Sequence, residues 1–211
     1  MKISIIGAGN VGGNLGKRLA NAGYSFSFGV KEDKDLQELL QQCKGRATAL
    51  PVAEAVANAD LLFLAVPGSV VLDMVKDWQQ VDDKIIVDCT NPVKWDAGPV
   101  WDPPKEGSIA AALAASLPGA SIVKGWNTFG AEYHLSPEIQ GEGISVFLAG
   151  EESAKAKVSE LAEALGFSVV DAGPLRNASV LENVALLWIH LATVGGQGRD
   201  IALQLLRRSV S

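Results

Sequence analysis

A chain of 211 residues with 48% apolar and 20% charged residues has the composition of an ordinary globular protein and can bury a substantial core. Its net charge of −6 argues against nucleic acid or an anionic membrane as a general partner. The first residues hold no basic segment followed by an unbroken apolar run, no stretch nears the roughly 20 apolar residues of a membrane span, and Cys43 and Cys89 form no CxxC pair. The expectation is a cytoplasmic protein with reduced thiols.

Ile3 to Ile6 reads as a strand that runs directly into Gly7-Ala8-Gly9-Asn10-Val11-Gly12 and then into a helix with Val11, Leu15, Leu19 and Ala22 on one face. Gly23 stands where a helix C-cap belongs. In this pattern Gly7 permits the tight turn, Gly9 lets the backbone approach a pyrophosphate, and Gly12 allows close packing of helix and sheet. Free amides and the positive end of the helix dipole then attract phosphate. Glycine-rich turns also end strands for structural reasons alone, but Ser25 to Val30 supplies the second strand of a βαβ unit. Gly7, Ala8, Gly9, Asn10, Val11 and Gly12 are therefore expected to bind a dinucleotide.

The residue ending the second strand discriminates NAD from NADP, because a carboxylate there holds the ribose 2′-hydroxyl and repels a 2′-phosphate. Val30 and Lys31 occupy that place and favour NADP(H), although Glu32 and Asp33 follow at a spacing that some NAD enzymes use.

Helices are predicted over 33–44 and 51–58, the second with Val52, Ala55, Val56 and Ala59 at helical spacing. Leu61 to Val66 reads as a strand buried on both faces and closed by Pro67-Gly68. A helix burying Val70, Val71, Met74 and Val75 follows, then a strand over 84–88. This rhythm predicts an α/β, doubly wound parallel sheet of the Rossmann type. Residues 90–107, with Trp95 and Trp101, read as one long loop; a helix over 108–117 and a strand over 121–125 complete a dinucleotide-binding domain of residues 1–125. Residues 126–211 read as a small C-terminal α/β domain: strand 144–149, helix 151–165, strand 167–171, and a long apolar helix 177–193 continued over 199–207.

Ligands of open α/β sheets lie beyond the carboxyl ends of the strands, which directs attention to Ala65-Val66-Pro67, Thr90-Asn91-Pro92 and Asn127-Thr128-Phe129-Gly130. Pro67 can also simply terminate its strand. The chain has no GxSxG, HExxH or Walker GK[ST] motif, and no metal site is expected. Of its two histidines, His190 reads as a packed helix residue, while His134 is either a proton donor or a surface loop residue. An alcohol dehydrogenase would need an evident general acid or base; hydride transfer to a second redox cofactor needs mainly aligned rings and excluded water, and the scarcity of candidates favours it.

The segments GAGNVG, LAVP, DCTNP, KGWNTFGAE and DAGPLRNASVLE, in this order and spacing, resemble the NADPH-dependent F-420 reductase family, also called F-420-dependent NADP oxidoreductases. The resemblance covers nearly the whole chain. It implies an N-terminal dinucleotide domain, a small C-terminal domain, and hydride passed between NADP(H) and a deazaflavin held in the cleft between them. It also implies that Gly7 to Gly12 hold the pyrophosphate, that Val30 and Lys31 flank the 2′-phosphate, and that Pro67 lies by the nicotinamide, on the crest shared with Ala65, Val66, Asn91 and Pro92. Asn127, Thr128 and Phe129 would face the acceptor, with Leu175 and Asn177 lining the far side. Asn127, Thr128 and His134 are the catalytic candidates. The archaeal enzymes resemble a histidine-containing segment where this chain has Asn127, and carry Ser-Arg at Val30-Lys31. The NTFGA segment is also similar to the soluble oxidoreductase domain of metalloreductases, which makes a flavin the alternative acceptor to coenzyme F-420.

A small imine or carbonyl reductase, with Tyr133 or His134 as proton donor, and a non-enzymatic NADP(H)-sensing module are the competing functions. The expected partner is a small-molecule acceptor. The final helix and the loop tryptophans admit a homodimer surface, against packing of that helix inside its own domain.

Overall fold

The computed structural model describes residues 1–31 and 34–208. Glu32 and Asp33, on which the case for NAD rests, lie outside the described residues.

Twelve strands and seven α-helices are described. They are β1 (Ile3–Ile6), α1 (Asn10–Asn21), β2 (Phe26–Val30), α2 (Gln37–Gln42), β3 (Ala47–Pro51), α3 (Val52–Asn58), β4 (Leu61–Leu64), α4 (Gly68–Met74) and β5 (Ile85–Asp88). A hairpin of β6 (Val93–Trp95) and β7 (Pro99–Trp101) leads to α5 (Ile109–Ser116) and β8 (Ser121–Lys124). Two short strands, β9 (Glu138–Ile139) and β10 (Glu142–Gly143), precede β11 (Ser145–Gly150), α6 (Glu152–Ala164), β12 (Ser168–Asp171) and α7 (Ala178–Ala192).

Eight strands form one sheet in the order β12-β11-β8-β5-β4-β1-β2-β3. All neighbours are parallel except β8 and β11, where Gly150 pairs with Val123 and Ala149 with Lys124. The doubly wound fold read from the sequence is present, and the strands of residues 126–211 extend the same sheet. Strand interiors feed both faces: Ile5, Phe63 and Val87 join one core with α1 and α6, while Ile6, Leu62, Leu64 and Ile86 join the other with α3, α4 and α5. Such two-faced burial explains the continuous apolar runs. Ser4, buried at the centre, is satisfied by Ser27 and the Ala55 carbonyl.

Several sequence expectations need correction. The helix predicted over 33–44 is described only from Gln37 to Gln42, and β3 was hidden because Ala47-Thr48-Ala49-Leu50 lies half-exposed at the sheet edge and shows no buried run. Residues 90–107 are not a plain loop, since Val93 pairs with Trp101 and Lys94 with Val100 around a turn in which Ala97 takes φ +53°. Val70 and Ala22 are exposed rather than on buried helix faces, Val11 is half-buried, and His190 is exposed on α7. Residues 199–207 form no helix. Gly196 and Gly198, both with positive φ, break the chain away from α7. The segment then runs across the sheet end, where Ile201 accepts from Trp188 Nε1 and Leu205 N–H donates to Ser145. The inner face of α7 is packed, and its outer face carries exposed Val180 and Leu187. No helix among the described residues is long and apolar enough to cross a membrane.

The β8–β11 junction leaves no room at Gly150, where a Cβ would stand 2.9 Å from the Ile122 carbonyl oxygen. Gly150→Val is expected to cost about 1–3 kcal/mol. Thermal unfolding should show it as a midpoint lowered by roughly 2–4 °C per kcal/mol.

Candidate functional site

The carboxyl ends of β1, β2, β4 and β5 meet at one rim. Gly7 takes φ +103° and its N–H donates to the Gly29 carbonyl, turning the chain sharply between β1 and α1. A Cβ on Gly12 would lie 2.0 Å from the Gly7 oxygen, so only glycine lets α1 start this close to the turn. A Cβ on Gly9 would meet nothing within 4 Å, because Gly9 faces open space. No side chain caps α1, which leaves the amides at Asn10, Val11 and Gly12 aimed outward from a 12-residue helix. Backbone amides converging on empty space make an anion site.

A cleft of ≈ 960 Å³ opens from this turn, bordered by Ala8, Val30, Lys31, Lys34, Val66 and Pro67, with Val52, Met74 and Trp78 as apolar walls. Lys34 N–H donates to the Lys31 carbonyl, and both lysines are exposed at one edge of the cleft. Sequence reasoning found Lys31 and missed Lys34, for which the signal was its place three residues later. On the other flank of the glycine turn a smaller cleft of ≈ 440 Å³ is lined by Gly9, Asn10, Asn14 and Lys17.

Ala65 N–H donates to the Ile6 carbonyl, which carries β4 into the half-buried Ala65-Val66 and exposed Pro67. Gly68 follows because a Cβ there would stand 2.2 Å from the Asn91 carbonyl oxygen. The crest therefore draws Pro67 and Asn91 together, with Pro92 buried behind them. Asn91 and Asn127 clasp each other: Asn91 Nδ2 donates to the Asn127 carbonyl (3.0 Å) and Asn127 Nδ2 to Asn91 Oδ1 (2.9 Å) and the Leu181 carbonyl (3.2 Å). These donations fix the amide orientation and leave Asn127 Oδ1 buried without a partner.

The other predicted residues lie deeper. Thr128 is 2% exposed, and Phe129 stacks on Phe167 at 5.5 Å with its other side on His134, so its ring faces the core rather than a cleft. Leu175 packs against the α3–α5 core. Asn177 donates to the Ala172 carbonyl at the start of α7. His134 is 1% exposed, with Nε2 3.1 Å from the Trp126 carbonyl and Nδ1 3.3 Å from that of Gly130. Burial pushes its pKa down to about 4, so the ring is neutral near pH 7 and holds the 126–134 bend rather than a transferable proton. Tyr133 is buried beside it, and burial raises its phenol.

Beneath the crest lies a group that the sequence analysis did not single out. Lys124, at 0% exposure, donates to Asp88 Oδ2 (2.8 Å), to the Thr90 carbonyl and to Glu182 Oε1 (2.9 Å). Charged residues inside the apolar runs SIVK and VLENVALL were the available signal, since such residues are buried only when paired. Both cysteines are buried free thiols, and burial holds Cys89 far above the ordinary thiol value. Among the described residues no cluster of three or more His, Cys, Asp or Glu could hold a metal.

Comparison with known proteins agrees with the resemblance drawn from the motifs. The family described as "NADP oxidoreductase coenzyme F420-dependent" matches residues 2–92. The chain is 27% identical over 212 residues to the F420-dependent NADP reductase of Methanothermobacter marburgensis, covering 90% of this chain and 92% of that protein. It is 28% identical over 186 residues to Metalloreductase STEAP3 of Rattus norvegicus, covering 88% of this chain but only 36% of the metalloreductase. A crystal structure of a candidate F420-dependent NADP-reductase from Arthrobacter sp. FB24 superposes with a TM-score of 0.87 at 26% identity, covering 98% of this chain and 100% of that one. The chain thus resembles NADP-dependent oxidoreductases along its length, and it spans about a third of the metalloreductase.

Two expectations follow from the geometry. Gly9→Ala should leave the melting temperature unchanged while weakening binding of 2′,5′-ADP or NADPH at least tenfold, whereas Gly12→Ala should lower both, as calorimetry and thermal melts can measure. Unfolded His134 takes up a proton near pH 6.5 and the folded one only near pH 4, so stability should fall as pH drops between those values. The loss should total roughly 3 kcal/mol. Denaturant titrations of His134→Gln should show that pH slope flattened.

Proposed function

We propose that this chain is an NADP(H)-dependent oxidoreductase that passes hydride between NADPH and a deazaflavin, coenzyme F-420, or a flavin-like ring. The observation that carries the reading is the uncapped α1 N-terminus behind a glycine turn, opening on a cleft with Lys31 and Lys34 at its edge. Gly7 to Gly12 hold the pyrophosphate through backbone amides, and the two lysines hold the 2′-phosphate. Pro67, Asn91 and Asn127 border the nicotinamide end, where the unpartnered Asn127 Oδ1 suits an amide N–H donor such as a carboxamide. The bound nicotinamide supplies the hydride; the chain positions it and excludes water.

The likeness to the F420-dependent NADP reductase of Methanothermobacter marburgensis and to the F420-dependent family supports the deazaflavin as acceptor. The metalloreductase likeness supports a flavin as the alternative. The environments of His134 and Tyr133 weigh against an imine or carbonyl reductase that relies on either as its acid. The buried free thiols suit a reducing compartment.

Anaerobic oxidation of NADPH with F-420 as acceptor, with FMN and NADH as controls, tests the reading. Turnover with NADPH and F-420 is expected, and NADH should be a poor donor. In Lys31→Ala/Lys34→Ala the NADPH dissociation constant should rise about tenfold or more, with NADH unaffected. NADPH binding without reduction of F-420 or FMN would remove the proposed acceptors and leave the sensing module.

A further inference from the structure

The Lys124 cluster places one ammonium between two carboxylates with none of the three side chains exposed. If both carboxylates were ionised, the site would hold an uncompensated negative charge out of water, which is costly. A proton on one carboxylate removes it, and the hydrogen bonds decide which one.

Asp88 accepts at both oxygens, from Thr90 N–H (2.9 Å) and Thr90 Oγ1 (2.7 Å) at Oδ1 and from Lys124 at Oδ2. Glu182 accepts only at Oε1, from Lys124 and from the Ile109 N–H at the start of α5, while its buried Oε2 has no partner. Donors stabilise the ionised form, so the carboxyl that is left with an unpartnered oxygen, Glu182, is the one that carries the proton. Burial accordingly pushes Glu182 up, against the pull of Lys124. Burial alone would lower Lys124, but the charge and hydrogen bond of Asp88 raise it and it remains an ammonium. Cys89, raised by burial, stays a neutral thiol, and His190 faces solvent on the outer side of α7.

The cluster also bears the crest. Lys124 holds the Thr90 carbonyl, Asp88 holds the Thr90 N–H and hydroxyl, and Asn91 follows directly. Asn127 is tied to the Leu181 carbonyl, one residue before Glu182. We propose that Lys124 is the positioning residue of the nicotinamide end of the site, and that neutral, protonated Glu182 keeps it there. The inference rests on the nicotinamide lying beside Asn91 and Asn127. Ionisation of Glu182 draws the ammonium toward a second carboxylate and away from the Thr90 carbonyl. Because burial raises the folded value, the ordering is complete at low pH and is lost as pH rises through that value.

The test compares two ligands. 2′,5′-ADP reports the phosphate end alone, by calorimetry, while the fluorescence of bound NADPH reports the nicotinamide end as well. Lys124→Met and Asp88→Asn should leave 2′,5′-ADP affinity within about twofold and weaken NADPH about tenfold or more, with a changed fluorescence spectrum. Glu182→Gln, which copies the neutral acid, should match the wild type at the low-pH end of the range, where Glu182 is protonated. As pH rises through the raised folded value of Glu182, the wild type should lose its NADPH advantage over 2′,5′-ADP while Glu182→Gln keeps it. If Lys124→Met fails to fold, the pH profile of Glu182→Gln decides. A Glu182→Gln variant as impaired as Asp88→Asn, or a Lys124→Met variant with normal NADPH binding, overturns the inference. A wild type that binds neither ligand ends the proposed function and this inference together, whereas intact 2′,5′-ADP binding with normal variants ends the inference alone.

Discussion

One buried ammonium ties together elements from both halves of the chain. Lys124 sits at the end of β8, and its three donated bonds reach β5 through Asp88, the crest through the Thr90 carbonyl, and α7 through Glu182. Through the Ile109 N–H, Glu182 extends the tie to α5. A cluster of this kind contributes little net stability, because desolvation offsets the attraction. Its worth lies in geometry: apolar packing tolerates small slides, while a charge with all its donors committed does not.

The two ends of the site are therefore held by different physics. At the glycine-turn end the backbone does the positioning, since the Gly7 turn and the absent Cβ of Gly12 bring α1 against the sheet and leave its first amides free. Exposed Lys31 and Lys34 add charge there without rigidity. At the other end side chains do the positioning, as Asn91 and Asn127 clasp above the Lys124 cluster. Gly68 couples the two ends, because its bare Cα lets the β4 crest touch the Asn91 carbonyl.

How much of this was legible depended on how local the cause was. The first βαβ unit and the buried parallel strands were readable because each is determined by a short run of residues: a glycine spacing, or a strand buried on both faces. The edge strand β3 and the β6–β7 hairpin were missed because half-exposed strands lose the pattern that marks burial. Residues 199–207 have helical spacing, yet Trp188, Ser145 and the glycines near 196 hold them in another course. Local preference yielded there to partners far away in sequence.

The same division holds for function. By itself the sequence determined a doubly wound sheet, a tight glycine turn between the first strand and helix, and a lysine after β2, since these follow from residue type and spacing within about thirty residues. Only the tertiary structure decided that Phe129 and His134 face inward, that Lys34 joins Lys31, and that Asp88, Lys124 and Glu182 meet. Those residues are separated by 36 and 58 positions, and no local pattern records a contact made when strands and helices from both halves of the chain close over one buried charge.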